Sequence, residues 1–136
     1  MKIKLFKEVT LPVKSHQSDS GLDVFMPEGF EIKPLETKTI GLGIGIAVPE
    51  GYAGMLVPRS SIAKKGLIIQ TSIIDPGYTG EIHLIITNCT NNTFNIEKNQ
   101  RVCSLIIYNI LNPYLEVIDE FEKTDRNNEG LGSTGK

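Results

Sequence analysis

The chain has 136 residues, of which 40% are hydrophobic and 22% are charged, a composition typical of one globular domain with a hydrophobic core. Its formal net charge of −2 at pH 7 argues against general nucleic-acid binding, which needs a basic surface. No apolar run approaches the roughly 20 residues that cross a bilayer, so we expect no membrane attachment.

The first half of the chain alternates between apolar and polar residues, which predicts β-strands near residues 2–6, 21–25 and 30–32. The clearest alternation covers residues 37–48, which we predict to form one strand. One face of this strand carries the apolar residues Ile40, Leu42, Ile44, Ile46 and Val48, and the other carries the small residues Gly41, Gly43, Gly45 and Ala47. Glycine weakens a strand unless another backbone must approach it closely, so the glycine-rich face predicts such an approach.

The rest of the chain continues in short elements. Residues 60–65 predict one helical turn, with Ser60 as its N-cap and Gly66 at its end. Many strands without an amphipathic helix predict an all-β sandwich or barrel. Residues 102–110 are apolar on both faces, which indicates either a subunit contact or a central core strand. Residues 67–74 predict a hairpin, and further strands are predicted at residues 81–88, 93–97, 101–110 and 114–118.

The composition changes near Asp119, after which the chain is polar and rich in glycine. We therefore predict a β core domain over residues 1–120 and a flexible glycine-rich arm over residues 121–136. A frayed terminus has the same composition. Such a run with Ser133 and Thr134 is also able to wrap backbone N–H groups around phosphate oxygens.

Asp75 is the leading candidate for a catalytic group. It follows the apolar pair Ile73 and Ile74 and precedes Pro76-Gly77, a dipeptide typical of a tight turn. A carboxylate held between a buried run and a turn is a fixed, partly desolvated group, as a general base should be. The alternative is that Asp75 only caps the turn, because Asp is common at the first turn position.

A second candidate site begins at Arg59, which is followed by two hydroxyl side chains, Ser60 and Ser61, at the start of the predicted helical turn. Free N–H groups at such a position favour an anion, and a guanidinium binds phosphate well. The alternative is an ordinary surface arginine beside a helix N-cap, which would have the same sequence pattern. Arg101 and Arg126 are able to add positive charge, although either is compatible with simple solvation.

Five separated segments of the chain resemble, in order, the motifs of homotrimeric dUTP pyrophosphatases (dUTPases). The resemblance covers nearly the whole chain. The segments are residues 20–24 (SGLDV), 58–63 (PRSSIA), 74–82 (IDPGYTGEI), 100–106 (QRVCSLI) and 126–135 (RNNEGLGSTG).

The resemblance implies a jelly-roll-like β-barrel or sandwich that forms a homotrimer. Three active sites would lie between subunits, and the C-terminal arm of one chain would close a neighbouring site. The implied activity is hydrolysis of dUTP to dUMP and pyrophosphate by attack of water on the α-phosphorus, with Mg²⁺ as cofactor. That reaction limits uracil incorporation into DNA and supplies dUMP for thymidylate synthesis.

The same resemblance implies a role for individual residues. Asp75 would orient the attacking water, Tyr78 would pack on the deoxyribose and exclude a 2′-OH, and Asp23 would act on the water shell of Mg²⁺. The metal itself would be held mainly by the triphosphate. The residues implied to bind substrate are Arg59, Ser60, Ser61, Gln70, Thr71, Ile74, Tyr78, His83, Ser104, Arg126, Leu131, Gly132 and Ser133.

Some positions depart from the family pattern. Leu131 stands where an aromatic residue usually stacks on uracil, which predicts a looser lid. Ser104 replaces the usual glutamine of the fourth motif, Ser61 replaces a common glycine of the second, and Asn127 replaces a usual glycine of the fifth. The segment that should read the base, before Asp75, is shorter than usual.

The sequence leaves two rival functions and one rival site. A dCTP deaminase of the same fold needs a glutamate on the strand after the third motif, where this chain has Ile85. A catalytically weak dUTP-binding regulatory module is compatible with the altered fourth and fifth motifs. A zinc site would have to use dispersed ligands without a paired motif, namely His16, His83, Cys89 and Cys103.

Cysteine usage bears on the cellular compartment. Cys89 and Cys103 are the two cysteines of the chain, and they form no close pairing motif. We therefore expect free thiols in a reducing compartment, which is the cytoplasm, or the host-cell cytoplasm for a viral protein.

Overall fold

A computed structural model of the chain describes residues 1–127, which form short strands and one helical turn. The predicted all-β class is confirmed. The elements are β1 (Ile3–Leu5), β2 (Leu22–Phe25), β3 (Phe30–Ile32), β4 (Thr37–Gly41), β5 (Ile44–Ile46), β6 (Tyr52–Pro58), α1 (Ser60–Ala63), β7 (Leu67–Ile69), β8 (Ser72–Ile74), β9 (His83–Asn88), β10 (Phe94–Ile96) and β11 (Arg101–Asn109).

The strands pair antiparallel in four small sheets that give a jelly-roll-like β fold. The largest sheet has the order β2-β11-β6-β8, and a second sheet has the order β4-β9-β7. The pairs β1-β5 and β10-β3 complete the set. Strand β11 is therefore a central strand, with β2 on one side and β6 on the other.

The hydrophobic core is made by the inward-facing residues of these sheets, most of which are β-branched or leucine. Burial of each such side chain contributes roughly 1.5–3 kcal/mol before entropy is counted. Four residues of the alternating stretch, Leu42, Ile44, Ile46 and Val48, are all buried, which confirms the face that the sequence predicted for them.

The prediction of a single strand over residues 37–48 is wrong, because the strand is interrupted between β4 and β5. Gly43 adopts a φ of +73°, a conformation that L side chains rarely adopt, and this residue redirects the chain. Strand β4 then pairs with β9, whereas β5 pairs with β1. The apolar residues continue to alternate across the break because the same core buries them on both sides of it, although the strand itself is interrupted.

The hairpin predicted over residues 67–74 is also wrong. Strand β7 pairs with β9, and the following Gln70 N–H donates to the Ile85 carbonyl. Strand β8 instead pairs with β6 in the other large sheet. Thr71 therefore lies where the chain crosses from one sheet to the other.

Two smaller expectations also need correction. Arg59, rather than Ser60, is the N-cap residue of α1, and no side chain caps this helix, although Gly66 follows it with a φ of +77° as predicted. No strand forms over residues 114–118 in the single chain, where Tyr114, Leu115 and Val117 are almost fully exposed. Within the described part of the chain, nothing covers these apolar side chains.

Among the residues that the structure describes, no helix has both the length and the apolar character needed to span a membrane. Cys89 and Cys103 are both free thiols, as predicted. Burial, followed by the nearby Asp23 charge, raises the pKa of Cys103 to about 12, so this thiol is an inert part of the core.

Candidate active site

The segment that follows β8 forms the turn predicted for it. Gly77 has a φ of +84°, and the Tyr78 N–H donates to the Asp75 carbonyl at 3.2 Å. Pro76 and Gly77 thus occupy the two central turn positions, as expected for a turn that needs positive φ at its third residue. The turn places Asp75 at the end of β8, directly after the buried Ile74.

Asp75 lines a cavity of about 220 Å³ that we call the Asp75 cavity. Tyr78 and His83 lie in the same wall, so the turn carries a carboxylate, a phenol ring and an imidazole into one space. Tyr78 is 45% exposed, which leaves much of its ring free for contact with a ligand. The lining residues are Ser72, Ile73, Ile74, Asp75, Tyr78, Glu81, Ile82, His83 and Ile85.

The expectation that Asp75 is partly desolvated is wrong for the single chain, where this residue is exposed. Its position in a cavity nevertheless allows a second molecule or a substrate to cover it. Residues 1–127 of its own chain leave the carboxylate exposed, so its desolvation needs a further group to cover it.

A second group of polar side chains surrounds Asp23, which is buried in β2. Ser104 donates to Asp23 Oδ1 at 2.9 Å, and Ser15 donates to Oδ2 at 3.1 Å. Arg59 Nη1 also bonds to Oδ2, and Arg101 Nη1 lies 3.2 Å from the same oxygen. The carboxylate therefore fixes two guanidinium groups side by side.

The pKa of Asp23 lies below its ordinary value as a result of these contacts. Burial is the largest single influence and raises the pKa, but the hydrogen bonds from Arg59, Ser104 and Ser15 together outweigh it. The charge of Arg59 lowers the pKa further. Asp23 is thus a carboxylate at neutral pH, and it holds the two arginines as cations in fixed positions.

Arg59 and the hydroxyl groups that follow it line a cavity of about 510 Å³, which we call the arginine cavity. A guanidinium has five N–H donors, and the described contacts of Arg59 with Asp23 use Nη1. Donors of Arg59 can therefore serve a phosphate in the cavity. The lining residues are Ser15, His16, Asp19, Ser20, Gly21, Asp23, Val57, Pro58, Arg59, Ser60, Ser61, Ser104 and Ile106.

The Asp75 cavity and the arginine cavity share no lining residue. Ile74 pairs with Gly54, so Asp75 lies beside the start of β6, whereas Arg59 follows its end. At about 3.3 Å per residue, the two positions are roughly 15–20 Å apart along β6. One chain thus presents the carboxylate and the guanidinium at opposite ends of a strand.

The outer face of the largest sheet connects the two cavities. The register places Ile106, Met55 and Ile73 in one row across β11, β6 and β8. Ile106 borders the arginine cavity and Ile73 borders the Asp75 cavity. None of the three is buried, and Ile73 is 50% exposed, so residues 1–127 leave this apolar row at least partly uncovered.

The structure distributes the predicted site residues among these places. Ile74, Asp75, Tyr78 and His83 share the Asp75 cavity, and Asp23, Arg59, Ser60, Ser61 and Ser104 share the arginine cavity. Gln70 and Thr71 line neither cavity, and Arg126 lies in the exposed segment that follows β11. Leu131, Gly132 and Ser133 lie outside the described residues.

Two contributors were missing from the predicted set of site residues. The sequence indicates Arg101 only as a possible source of charge, and it gives no signal for Ser15. Arg101 Nη1 donates to Ser15 Oγ at 2.8 Å, and both residues contact Asp23. The contact joins positions that are 86 residues apart, which no local pattern reveals.

The donor set bears on metal binding. Among the described residues, no three His, Cys, Asp or Glu side chains cluster closely enough to hold a metal ion. Asp23 already accepts four hydrogen bonds, which matches the roughly four lone-pair sites of a carboxylate. Such a carboxylate fits contact with a cation through water rather than direct coordination.

A family model described as dUTPase matches residues 7–135 of the chain. The chain is 36% identical to the deoxyuridine 5′-triphosphate nucleotidohydrolase of Clostridium kluyveri over 135 residues, which cover 97% of this chain and 94% of that protein. It is 33% identical to the protein of that name from Mus musculus over 135 residues, covering 98% and 83% respectively.

Solved structures with the same fold include a dUTPase of Staphylococcus bacteriophage 80alpha with dUpNHpp. It has a TM-score of 0.93 and 30% identity, and the match covers 99% of this chain and 98% of that one. A mutant dUTPase from phage phi11 of S. aureus, which coordinates a structural Mg(II) ion, has a TM-score of 0.84 and 27% identity, with coverage of 90% and 98%.

Proposed function

The chain belongs to the dUTPase family, and from this membership we propose that it hydrolyses dUTP to dUMP and pyrophosphate. The biological result is less uracil incorporated into DNA and a supply of dUMP for thymidylate synthesis. The single observation that carries the proposed mechanism is the separation of Asp75 from Arg59 along β6. This separation supports a site in which Asp75 and Arg59 come from different chains.

We propose that the protein is a homotrimer with each active site built between chains. The apolar row of Ile106, Met55 and Ile73 joins the two half-sites on one face of the largest sheet. If that face packs around a threefold axis, the Asp75 cavity of one chain meets the arginine cavity of its neighbour. Burial of the row would then stabilise the assembly and remove water from both cavities.

Asp75 is the proposed general base. In its cavity the carboxylate accepts a hydrogen bond from a water molecule and directs that water at the α-phosphorus. As the oxygen–phosphorus bond forms, Asp75 takes the water proton and the bond to the β-phosphate oxygen breaks, so pyrophosphate leaves. General bases of this kind contribute typically 10²–10⁴-fold in rate.

Other residues of the Asp75 cavity are proposed to select the nucleoside. The half-exposed Tyr78 ring is positioned to pack on the deoxyribose, where it leaves no room for a 2′-OH. Ile74 and His83 line the same space and are proposed to contact substrate. Gln70 and Thr71, at the crossing between sheets, are proposed to contact the base from outside this cavity.

The arginine cavity is proposed to receive the triphosphate. Arg59, Ser60 and Ser61 would donate hydrogen bonds to phosphate oxygens, and Ser104 would support them through Asp23. Charge neutralisation and positioning supply most of the catalysis in phosphoryl transfer, which fits a cavity lined by Arg59, whose guanidinium group is fixed by Asp23. The C-terminal arm, through Arg126, Leu131, Gly132 and Ser133, is proposed to close over the terminal phosphates.

Mg²⁺ is proposed as the cofactor, held mainly by the triphosphate. A bound Mg²⁺ usually keeps several waters and uses one or two carboxylates together with substrate phosphates. It would neutralise charge on the phosphates. Asp23, whose oxygens already accept four hydrogen bonds, would reach it only through water.

The alternatives are less well supported. Ile85 is half-buried in β9 and lines the Asp75 cavity, and it stands at the position where the resemblance implies a glutamate in a dCTP deaminase, so the acid needed for deamination is replaced by an apolar side chain. A regulatory module would bind dUTP without releasing pyrophosphate. We also propose a cytoplasmic location, which the free thiols Cys89 and Cys103 support.

A substrate panel tests the proposed function. The full-length protein is incubated with Mg²⁺ and dUTP, dCTP, dTTP or UTP, and pyrophosphate and ammonia are followed separately. We expect pyrophosphate from dUTP far in excess of the other three and no ammonia from dCTP. Binding of dUTP without pyrophosphate release would favour the regulatory module, and ammonia release would favour the deaminase.

A further inference from the structure

The glycine face of β4 and β5 contacts the segment that follows the Asp75 turn. A Cβ atom added to Gly45 would lie 2.6 Å from the Gly80 carbonyl oxygen, and one added to Gly41 would lie 2.6 Å from Glu81 Oε1. At Gly45 the neighbouring atom belongs to the backbone, so a side chain there would force the backbone to shift, and the close backbone approach predicted from the alternating glycines is that of Gly80. At Gly41 the neighbour is the end of the Glu81 side chain, which would have to leave its place if a side chain were added.

The side chain of Glu81 attaches this segment to the break between β4 and β5. Its Oε1 accepts a hydrogen bond from the Gly43 N–H at 2.7 Å. Within the described part of the chain, Glu81 forms no ion pair. Gly43 is buried, so removal of the carboxylate would leave its N–H without this acceptor, which is costly away from water.

The backbone of Glu81 holds two rings of the Asp75 cavity. The Tyr78 hydroxyl donates to the Glu81 carbonyl oxygen at 2.8 Å, and His83 Nδ1 lies 2.9 Å from the same oxygen. Glu81 is thus joined to the sheet through its carboxylate and to Tyr78 through its carbonyl. A shift of Glu81 would move the phenol ring with it.

We propose that Glu81 is a positioning residue for sugar selection, which holds the Tyr78 ring at the distance from the substrate that excludes a 2′-OH. The inference rests on the proposed function, since it assumes that Tyr78 packs on the deoxyribose. Exclusion of one hydroxyl depends on a gap much smaller than the ring itself. Loss of the Glu81–Gly43 bond would therefore relax selection before it abolishes turnover.

The test compares kcat/KM for dUTP and for UTP in the full-length protein and its variants. Glu81→Ala should raise the ratio of UTP to dUTP turnover at least about tenfold, a range typical for one small group in a pocket. Glu81→Gln keeps an amide oxygen that can accept from Gly43 and should restore the wild-type ratio. Glu31→Ala, at an exposed position of β3, is the matched control.

A second variant covers the case in which Glu81→Ala does not fold. Glu81→Asp keeps the charge but is one methylene too short for the Gly43 N–H, and it should shift the ratio in the same direction. Tyr78→Phe removes the hydroxyl that donates to the Glu81 carbonyl oxygen. When Glu81→Asp is added to Tyr78→Phe, the ratio of UTP to dUTP turnover should change no further.

The outcomes separate the two proposals. An equal loss of dUTP and UTP turnover in Glu81→Asp, with an unchanged ratio, would overturn the positioning role. Further relaxation in the double variant would overturn the route through Tyr78. A wild-type protein that releases no pyrophosphate from dUTP would instead refute the proposed function.

Discussion

Arg59 and Asp75 lie near opposite ends of β6, Arg59 after its last residue and Asp75 beside its start, roughly 15–20 Å apart by strand rise. Each lines its own cavity, and an apolar row crosses the sheet between them. A phosphate-binding arginine contacts the triphosphate directly, and a general base must hold the water that attacks the same triphosphate. The separation therefore favours a site that takes one residue from each of two chains.

Replacement of the general base tests the chemistry. Asp75→Asn keeps the size of the side chain and can still contact water, but it takes up no proton at neutral pH. We expect kcat for dUTP to fall about 10²–10⁴-fold while affinity for a non-hydrolysable analogue changes little. Single-turnover kinetics and calorimetry would measure the two effects. Near wild-type turnover in the variant would remove Asp75 from the role of base.

The apolar row can be tested by oligomeric state. Ile73 and Ile68 are both isoleucines that are 50% exposed in the single chain, but Ile73 lies in the row and Ile68 lies in the other large sheet. We expect Ile73→Asp to dissociate the trimer and Ile68→Asp to leave it intact, because only the first buries a charge at the interface. Light scattering distinguishes the two. A trimeric Ile73→Asp protein would show that another face mediates assembly.

The lowered pKa of Asp23 predicts a pH dependence of stability. Because its folded pKa lies below the ordinary 3.8, the ionised group stabilises the fold above that pH and loses this effect as pH falls through the folded pKa. Asp23→Asn should therefore cost about 2 kcal/mol of unfolding free energy between pH 5 and 7, by the usual cost of hydrogen bonds to charged groups.

The difference between wild type and Asp23→Asn should shrink below about pH 4, as the wild-type carboxylate becomes protonated. Urea unfolding at several pH values measures this difference in unfolding free energy. Asp119→Asn, at an exposed position, controls for the loss of one negative charge. A difference that stays constant down to pH 2 would mean that ionisation of Asp23 is not what stabilises the network.

The fifth motif is tested by removal of the residues from Arg126 onward. We expect the shortened protein to remain a folded trimer, because the core cluster lies entirely within earlier residues. We also expect kcat/KM for dUTP to fall at least about 100-fold, since groups that contact the phosphates directly would be lost. Thermal unfolding and light scattering check the first expectation. Loss of the trimer would show that the arm is structural.

The sequence predicted the fold class and the core face well, because burial imposes its period-2 pattern wherever a strand has one covered face. It failed at Gly43, where a positive φ breaks the alternating stretch without changing which residues are buried. It failed again at residues 67–74, since two adjacent short strands pair with different sheets. Partner choice in β-structure depends on distant segments that a local pattern does not contain.

In the candidate site, too, the features set by local sequence were predicted and those set by distant contacts were not. The Asp75 turn follows from Pro76 and Gly77, whose backbone preferences act locally. The Asp23 network instead gathers Ser15, Arg59, Arg101 and Ser104 from separate parts of the chain. The tertiary fold brings these groups together, and no local pattern reveals it, so Ser15 was not predicted.

Mixing two inactive variants tests the central claim, a dUTP-hydrolysing site shared between chains, most directly. Asp75→Asn and Arg59→Ala are purified separately, shown to be inactive, then unfolded and refolded together so that their chains exchange. In a random mixture of a closed cyclic trimer, about one quarter of interchain sites receive both intact residues. We therefore predict that pyrophosphate release from dUTP returns to about a quarter of the wild-type rate, whereas a mixture as inactive as its components would contradict the account.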